Sequence, residues 1–192
     1  MHIAVYSGSF NPLHIGHLAI IKHMIEEAGF DMVYLIVSPK NPLKDGISAT
    51  TGIDRYNAAV TAVNRHFPIS ETKENRKVKV DDIELNMPEP HYTIRTLKAL
   101  KEREPENRFT LVMGADNLAD IRRWREYANI LKEFGAAVFP RTGQNLTKIK
   151  QDLLKEDPAY KIQILDAEMV DISSTQIREA IANGDDPSKY LM

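Results

Sequence analysis

The 192-residue chain carries 43% hydrophobic and 27% charged residues, the balance of a soluble globular protein, and its length fits one domain over residues 1–192 with a substantial core. A net charge of −2 excludes a general basic field for nucleic acid or a membrane surface, so an anionic ligand must be held by a local cluster. The absence of cysteine excludes disulfides and thiolate zinc sites and fits the cytoplasm, and neither a membrane-spanning apolar run nor a signal-peptide pattern is present.

Ile3, Ala4 and Val5 read as a short buried strand, broken by Ser7, Gly8, Ser9, Asn11 and Pro12. From His14 onward, Leu18, Ile21, Met24, Ile25 and Ala28 recur at helical spacing. The opening is therefore strand, small-residue turn and helix. Small residues let backbone N–H groups approach a ligand closely, and the helix start adds unpaired donors and a partial positive charge, which together suit phosphate. His14 and His17 lie on one face of the first helical turn and point to where phosphates would sit. The plainer alternative is a tight turn at Gly8 with two ordinary helix-start histidines. Zinc is disfavoured because His23 falls on another face and no cysteine is on offer.

Met32 to Val37 is a second buried strand, so the first strands and helix form a βαβ unit with a parallel sheet. The loop Ser38-Pro39-Lys40-Asn41-Pro42-Leu43-Lys44 follows that strand's C-terminal end, where ligands bind in open α/β sheets, and Lys44 is its candidate. Thr51 to His66 reads as a helix capped by Thr51 with Asp54, its apolar face made of Ile53, Tyr56, Ala59, Val60 and Val63. Arg55 stands in the first turn, where a cation opposes the helix dipole unless an anion is nearby. Ser70 to Lys77 reads as charged and exposed, and Val78, Val80, Ile83 and Leu85 as a short strand and its continuation. Met87-Pro88-Glu89-Pro90 is a stiff connector to a helix opened by His91-Tyr92-Thr93, with Thr93 as N-cap and amides suited to a carboxylate. Phe109 to Met113 is a further buried strand, and Asp116, in Gly114-Ala115-Asp116-Asn117-Leu118, is either a helix cap or a site residue. The single tryptophan, Trp124, beside Arg123 and Arg125, is either core packing or a stacking platform. Glu126 to Phe134 is predicted helical and closed by Gly135, Ala136 to Phe139 a strand, Leu146 to Leu154 a helix, and Ile162, Ile164 and Leu165 a strand.

A second constellation lies near the end: Asp171-Ile172-Ser173-Ser174-Thr175-Gln176-Ile177-Arg178. Hydroxyl residues precede a helix that carries Ile177, Ala180 and Ile181 and closes at Gly184. Hydroxyls and free amides there make another anion nest, and Arg178 can bind phosphate bidentately. The plainer alternative is a serine N-cap and a surface arginine. A parallel sheet can bring both helix starts to one edge, which favours the phosphate reading.

Gly8-Ser9-Phe10-Asn11-Pro12-Leu13-His14-Ile15-Gly16-His17 resembles the GxF(D/N)PxHxGH motif of nucleotidyltransferases, and the second constellation resembles their ISSTxIR motif. With Asn41-Pro42-Leu43-Lys44, Tyr92-Thr93-Ile94-Arg95-Thr96-Leu97, Gly114-Ala115-Asp116-Asn117-Leu118 and Trp124 in order, most of the chain is similar to the bacterial nicotinate-nucleotide adenylyltransferases. The resemblance implies an α/β fold, a Rossmann-like open parallel sheet with helices on both faces. It implies transfer of AMP from ATP to nicotinate mononucleotide, giving deamido-NAD and pyrophosphate, with Mg²⁺ carried on ATP. Carried over residue by residue, it assigns catalysis to His14, His17, Lys44 and Arg178. ATP binding falls to Gly8, Ser9, Phe10, His14, His17, Ile172, Ser173, Ser174, Thr175 and Arg178. Acceptor binding falls to Ser9, Phe10, Asn11, Lys44, Tyr92, Thr93, Asp116, Trp124 and Arg125, with Trp124 stacking on the pyridine. No dedicated metal ligands, nucleic acid or membrane are implied. The family often has serine where His91 stands and aspartate where Arg95 stands. The alternatives are the same chemistry on nicotinamide mononucleotide or phosphopantetheine, a CTP-dependent relative, or an ATP-sensing module without transfer. An aminoacyl-tRNA synthetase is disfavoured by length and by the lack of a recognisable KMSKS. Oligomeric state is not legible.

Overall fold

A computed structural model of the chain describes residues 1–39, 51–68, 77–141, 143–167 and 172–192. The expectations for Lys44 and its loop from residue 40 onward, for most of Ser70 to Lys77, and for Asp171 lie outside the described residues.

In chain order the elements are β1 (His2–Gly8), α1 (Ile15–Glu26), β2 (Met32–Val37), α2 (Gly52–His66), β3 (Val78–Asp81), α3 (Thr93–Arg103), β4 (Arg108–Gly114), α4 (Ala115–Ala119), α5 (Tyr127–Asn129), β5 (Ala136–Phe139), α6 (Leu146–Glu156), β6 (Ile162–Ile164) and α7 (Ser174–Ala182). The six strands form one sheet in the order β3-β2-β1-β4-β5-β6, and every pairing is parallel. All strand C-termini therefore share one edge.

The apolar runs in the strands are near-continuous because both sheet faces are covered. Side chains alternate across the sheet. Ile3 and Val5 of β1, Tyr34 and Ile36 of β2, and Leu111 and Met113 of β4 pack against Ile94, Leu97 and Leu100 of α3, with Leu146 and Leu153 of α6 in the same core. Ala4 and Tyr6, Val33 and Leu35, and Val112 and Ala137 point the other way, onto Ile21 and Met24 of α1 and Ala59 and Val63 of α2. The expected open parallel sheet with helices on both faces is what forms.

Four local readings are revised. Ile53 is 62% exposed, whereas Arg55 of the same turn is buried at 5%. Two residues on a helix are about 200° apart, so turning Arg55 inward turns Ile53 outward. Among the described residues Arg55 faces no anion. Its guanidinium donates to the carbonyls of Ser9, Ser38 and Pro39 at 2.6, 2.8 and 2.8 Å, and these oxygens supply the negative ends that the dipole argument required. Ile83–Asn86 is a 3-10 turn and does not continue the strand. The Asp81 carboxylate accepts from the Ile83 amide at 3.1 Å, and Leu85 donates to the Asp82 carbonyl at 2.9 Å. The N-cap of α3 is Tyr92, whose carbonyl accepts from Arg95 and Thr96 at 2.8 and 3.3 Å, so Thr93 is the first helical residue. Finally, Glu126 has φ 52° and lies outside the helix, which runs as α5 and then as a wide π turn, Ile130–Phe134, before Gly135 at φ 79°.

Leu153 is fully buried in α6. We expect Leu153→Ala to lower the unfolding free energy by about 2–5 kcal/mol through lost transfer energy and an unfilled cavity, read from urea denaturation. A change below about 1 kcal/mol would contradict this core assignment.

Candidate active site

The sheet order places its switch between β1 and β4: chain connections run outward from β1 on one side and from β4 on the other. In open α/β sheets the crevice beyond the strand C-termini at that switch is where ligands bind. β1 ends at Gly8 and β4 at Gly114, each two residues beyond their shared pair Tyr6↔Val112.

Two glycines of the opening motif are explained by close approach. A Cβ on Gly8 would stand 3.1 Å from the Phe10 ring, which folds back over the end of β1. A Cβ on Gly16 would stand 3.1 Å from two atoms of the His14 ring and 3.4 Å from Ile172. Gly16 thus lets His14 lie flat on the helix start and lets Ile172, just before α7, come down on the same turn.

His14 caps α1, and its backbone N–H donates to His17 Nδ1 at 3.2 Å. The two rings lie 3.7 Å apart, centre to centre. Phe10 meets His17 edge-on at 5.2 Å and Tyr6 at 5.4 Å, and Phe139 closes on Tyr6 at 6.0 Å. Burial pushes the His17 imidazole down to about 3, helped by His14 and Arg141, and burial followed by Arg141 pushes His14 down to about 4. Both rings are therefore neutral near pH 7. Because His17 Nδ1 accepts from the His14 amide, the neutral ring carries its proton on Nε2 and offers that N–H as a donor. Among the described residues His14 Nδ1 is buried without a hydrogen-bond partner.

The two ends of the chain meet here. Ser174 Oγ donates to the Pro12 carbonyl at 3.1 Å, and Arg178 donates to the Asn11 carbonyl at 2.8 Å and to Thr175 Oγ1 at 3.1 Å. Ser173 caps α7 and accepts from the Gln176 amide at 3.2 Å, so the plainer reading of that serine also holds. Gly8, Ser9, Phe10, Asn11, His14, His17, Ile172, Ser173, Ser174, Thr175 and Arg178 thus belong to one cluster of loop and helix starts.

Sequence reasoning missed Arg141. It follows β5, lies 3.7 Å from the Asp116 carboxylate across the crevice, and its charge reaches both histidines. Its signal was its place after a core strand, the same argument that singled out Lys44. Asp116 is exposed in the first turn of α4. The residues expected on the acceptor side are placed as follows. Tyr92 and Thr93 open α3, and Trp124 is half-buried against the α3 face of the core, so its packing role is real. Lys98 of α3 meets Glu126 at 3.0 Å, which holds the Trp124 to Glu126 segment beside that helix. Arg125 is exposed. His91 is buried, its Nδ1 without a partner among the described residues, and Arg95 turns back to the Pro90 carbonyl at 2.7 Å.

Among the described residues no group of three or more His, Asp or Glu side chains could hold a metal ion, and no helix is long and apolar enough to cross a membrane.

Comparison with known proteins agrees with this geometry. Residues 5–180 match the cytidylyltransferase-like family model. A probable nicotinate-nucleotide adenylyltransferase of Flavobacterium johnsoniae is 39% identical over 96% of this chain and 88% of its own length. One from Bacteroides fragilis is 35% identical over 97% and 85%. The Plasmodium falciparum nicotinic acid mononucleotide adenylyltransferase, solved with NaAD, superposes with TM-score 0.76 at 23% identity over 99% of this chain and 90% of that one, a likeness of fold. By its sequence relatives the chain belongs to the nicotinate-nucleotide adenylyltransferases, within the cytidylyltransferase-like family.

Proposed function

We propose that the crevice between β1 and β4 transfers AMP from ATP to nicotinate mononucleotide, giving deamido-NAD and pyrophosphate. The observation that carries this reading is the clasp of the α7 start onto the opening loop, through Ser174 and Arg178, beside the His14–His17 pair. It creates two donor-rich helix starts facing one crevice, the requirement for holding a triphosphate.

The nucleophile is a phosphate oxygen of the mononucleotide, already anionic at neutral pH, so no general base is required. It forms a bond to the α-phosphorus while the bond to the bridging oxygen breaks, and the electron pair leaves with pyrophosphate. The chain must place two polyanions in line and stabilise charge on the transferring group. His17 serves through its neutral Nε2–H beside the α-phosphoryl, with His14 on the neighbouring phosphates. In the free enzyme the histidines are donors and not cations, so positive charge comes from Arg141, Arg178 and Lys44. Ser173, Ser174 and Thr175 hold the β and γ phosphates. On the acceptor side, the amides at the start of α3, near Tyr92 and Thr93, receive the nicotinate carboxylate. Trp124 gives its free face to the pyridine, and Asp116 and Arg125 line the mononucleotide. Mg²⁺ would be carried on ATP, bound chiefly by phosphates and water, and would offset phosphate charge. The cysteine-free chain suits the cytoplasm.

The direct test is pyrophosphate release by the purified protein with MgATP. We expect release with nicotinate mononucleotide to exceed that with nicotinamide mononucleotide strongly; equal or reversed preference would overturn the acceptor assignment. His17→Ala is expected to fold and to lose at least about 100-fold in turnover, the scale of one preorganised donor. Near-normal turnover would sink the role given to His17.

The depressed histidines also set a pH dependence of stability. Unfolded imidazoles take up protons near pH 6.5, whereas the folded ones do so only near 4 and 3. The unfolded state thus binds more protons between these limits, and stability present above about pH 6.5 falls as pH falls. In urea melts at pH 7 and pH 5, we expect the loss of unfolding free energy to be smaller in the double variant His14→Gln, His17→Gln than in the parent chain. Equal losses would show that these rings are not buried neutral.

A further inference from the structure

Among the described residues Arg55 is the one deeply buried guanidinium, and no carboxylate of those residues pairs with it. Its Nη1 and Nη2 donate to backbone oxygens, while its Nε is buried with no hydrogen-bond partner among the described residues, and all three oxygens belong to loops that leave the C-terminal ends of β1 and β2. The shortest of these contacts, 2.6 Å, is to Ser9, the residue before Phe10. Phe10 stands at φ 44°, in the left-handed region that a bulky side chain enters only when its surroundings over-determine it. The Phe10 ring is held by Tyr6 and His17, and its peptide is held by Arg55.

The direction of that peptide matters. In a planar trans peptide the carbonyl and the following N–H point opposite ways. Arg55 draws the Ser9 carbonyl toward α2 and the β2 side, so the Phe10 N–H points away from them. Among the described residues it donates to no group. The same anchor continues across the sheet edge. Ser38, whose carbonyl Arg55 holds, donates through Oγ to the buried Glu84 at 2.6 Å, and Thr96 of α3 donates to the other Glu84 oxygen at 2.7 Å.

We propose that Arg55 is a positioning residue for the transfer: by holding the Ser9 carbonyl it turns the Phe10 amide into the crevice as a donor to the triphosphate, and through Ser38 and Glu84 it keeps that loop in register with the start of α3. This rests on the adenylyl-transfer reading above. It accounts for a cation at the wrong end of a helix dipole and for a strained residue in the opening motif with one contact.

The test follows the Phe10 amide in ¹⁵N-labelled protein during MgATP titration, alongside kinetics with nicotinate mononucleotide. In the parent chain, MgATP should shift the Phe10 amide downfield. Arg55→Met should abolish that shift and lower kcat by about 100-fold, the cost of a misplaced reacting group, with KM for the mononucleotide changed less than about 3-fold. Arg55→Lys, which retains charge and can reach one carbonyl, should recover part of both readouts and guards against a misfolded methionine variant. Leu153→Ala, destabilised at a distance, should keep the shift and kcat. The proposal falls if the amide shift survives in Arg55→Met and Arg55→Lys, or if kcat in both stays within about 3-fold of the parent. A parent chain that shows the ATP-dependent shift without turnover would sink the transfer reading alone and leave the positioning of Phe10 supported.

Discussion

β1 is hydrogen-bonded in parallel to β2 on one side and to β4 on the other, and the site depends on that central position. Parallel pairing sends every strand's C-terminus to one edge. The reversal of winding at β1 and β4 leaves a crevice there, uncovered by a crossing helix. Residues 8–17 and 172–178 are far apart in the chain, and only this topology makes them neighbours. The clasp of Ser174 and Arg178 onto the Pro12 and Asn11 carbonyls is then a local consequence.

The crevice is prepared for anions without being strongly charged. The chain has a net charge of −2, and the two histidines at the centre are neutral. Positive character is supplied by orphaned helix-start amides, by neutral N–H donors, and by arginines set at the rim or turned onto backbone carbonyls. Such an arrangement avoids mutual repulsion in the free protein and strengthens when a polyphosphate enters, since an anion raises the histidine proton affinity that Arg141 and burial depress. The glycines at positions 8 and 16 serve the same end, making room for the Phe10 and His14 rings that shape the pocket floor.

The strand and helix sequence was readable because buried parallel strands are short apolar runs and the helices carry capping residues: Thr51 with Asp54 forms as its spacing implies, and a serine, Ser173, caps α7. The clustering of the His14–His17 and Ser173–Arg178 segments was readable from motif chemistry and from the parallel topology. What escaped was decided by tertiary contact. Nothing local marks Arg55 as a residue that would bury against three carbonyls from other loops, and its inward turn is what exposed Ile53. Ile83 and Leu85 keep strand periodicity, yet the Asp81 carboxylate captures the Ile83 amide and curls the chain. Arg141 carries no local motif; only the closeness of β5 to β4 brings it to Asp116 and the histidines.

The central claim is direct transfer of the α-phosphoryl group between two ligands held in one crevice, and isotope tracing tests it most directly. The protein is incubated with nicotinate mononucleotide and ATP labelled either at the α- or at the γ-phosphorus. The account expects α-label to appear in a dinucleotide joined to the mononucleotide and γ-label to appear in free pyrophosphate, in equal amounts. Label from the α position recovered as free AMP, or γ-label recovered as inorganic phosphate from the start of the reaction, would contradict it.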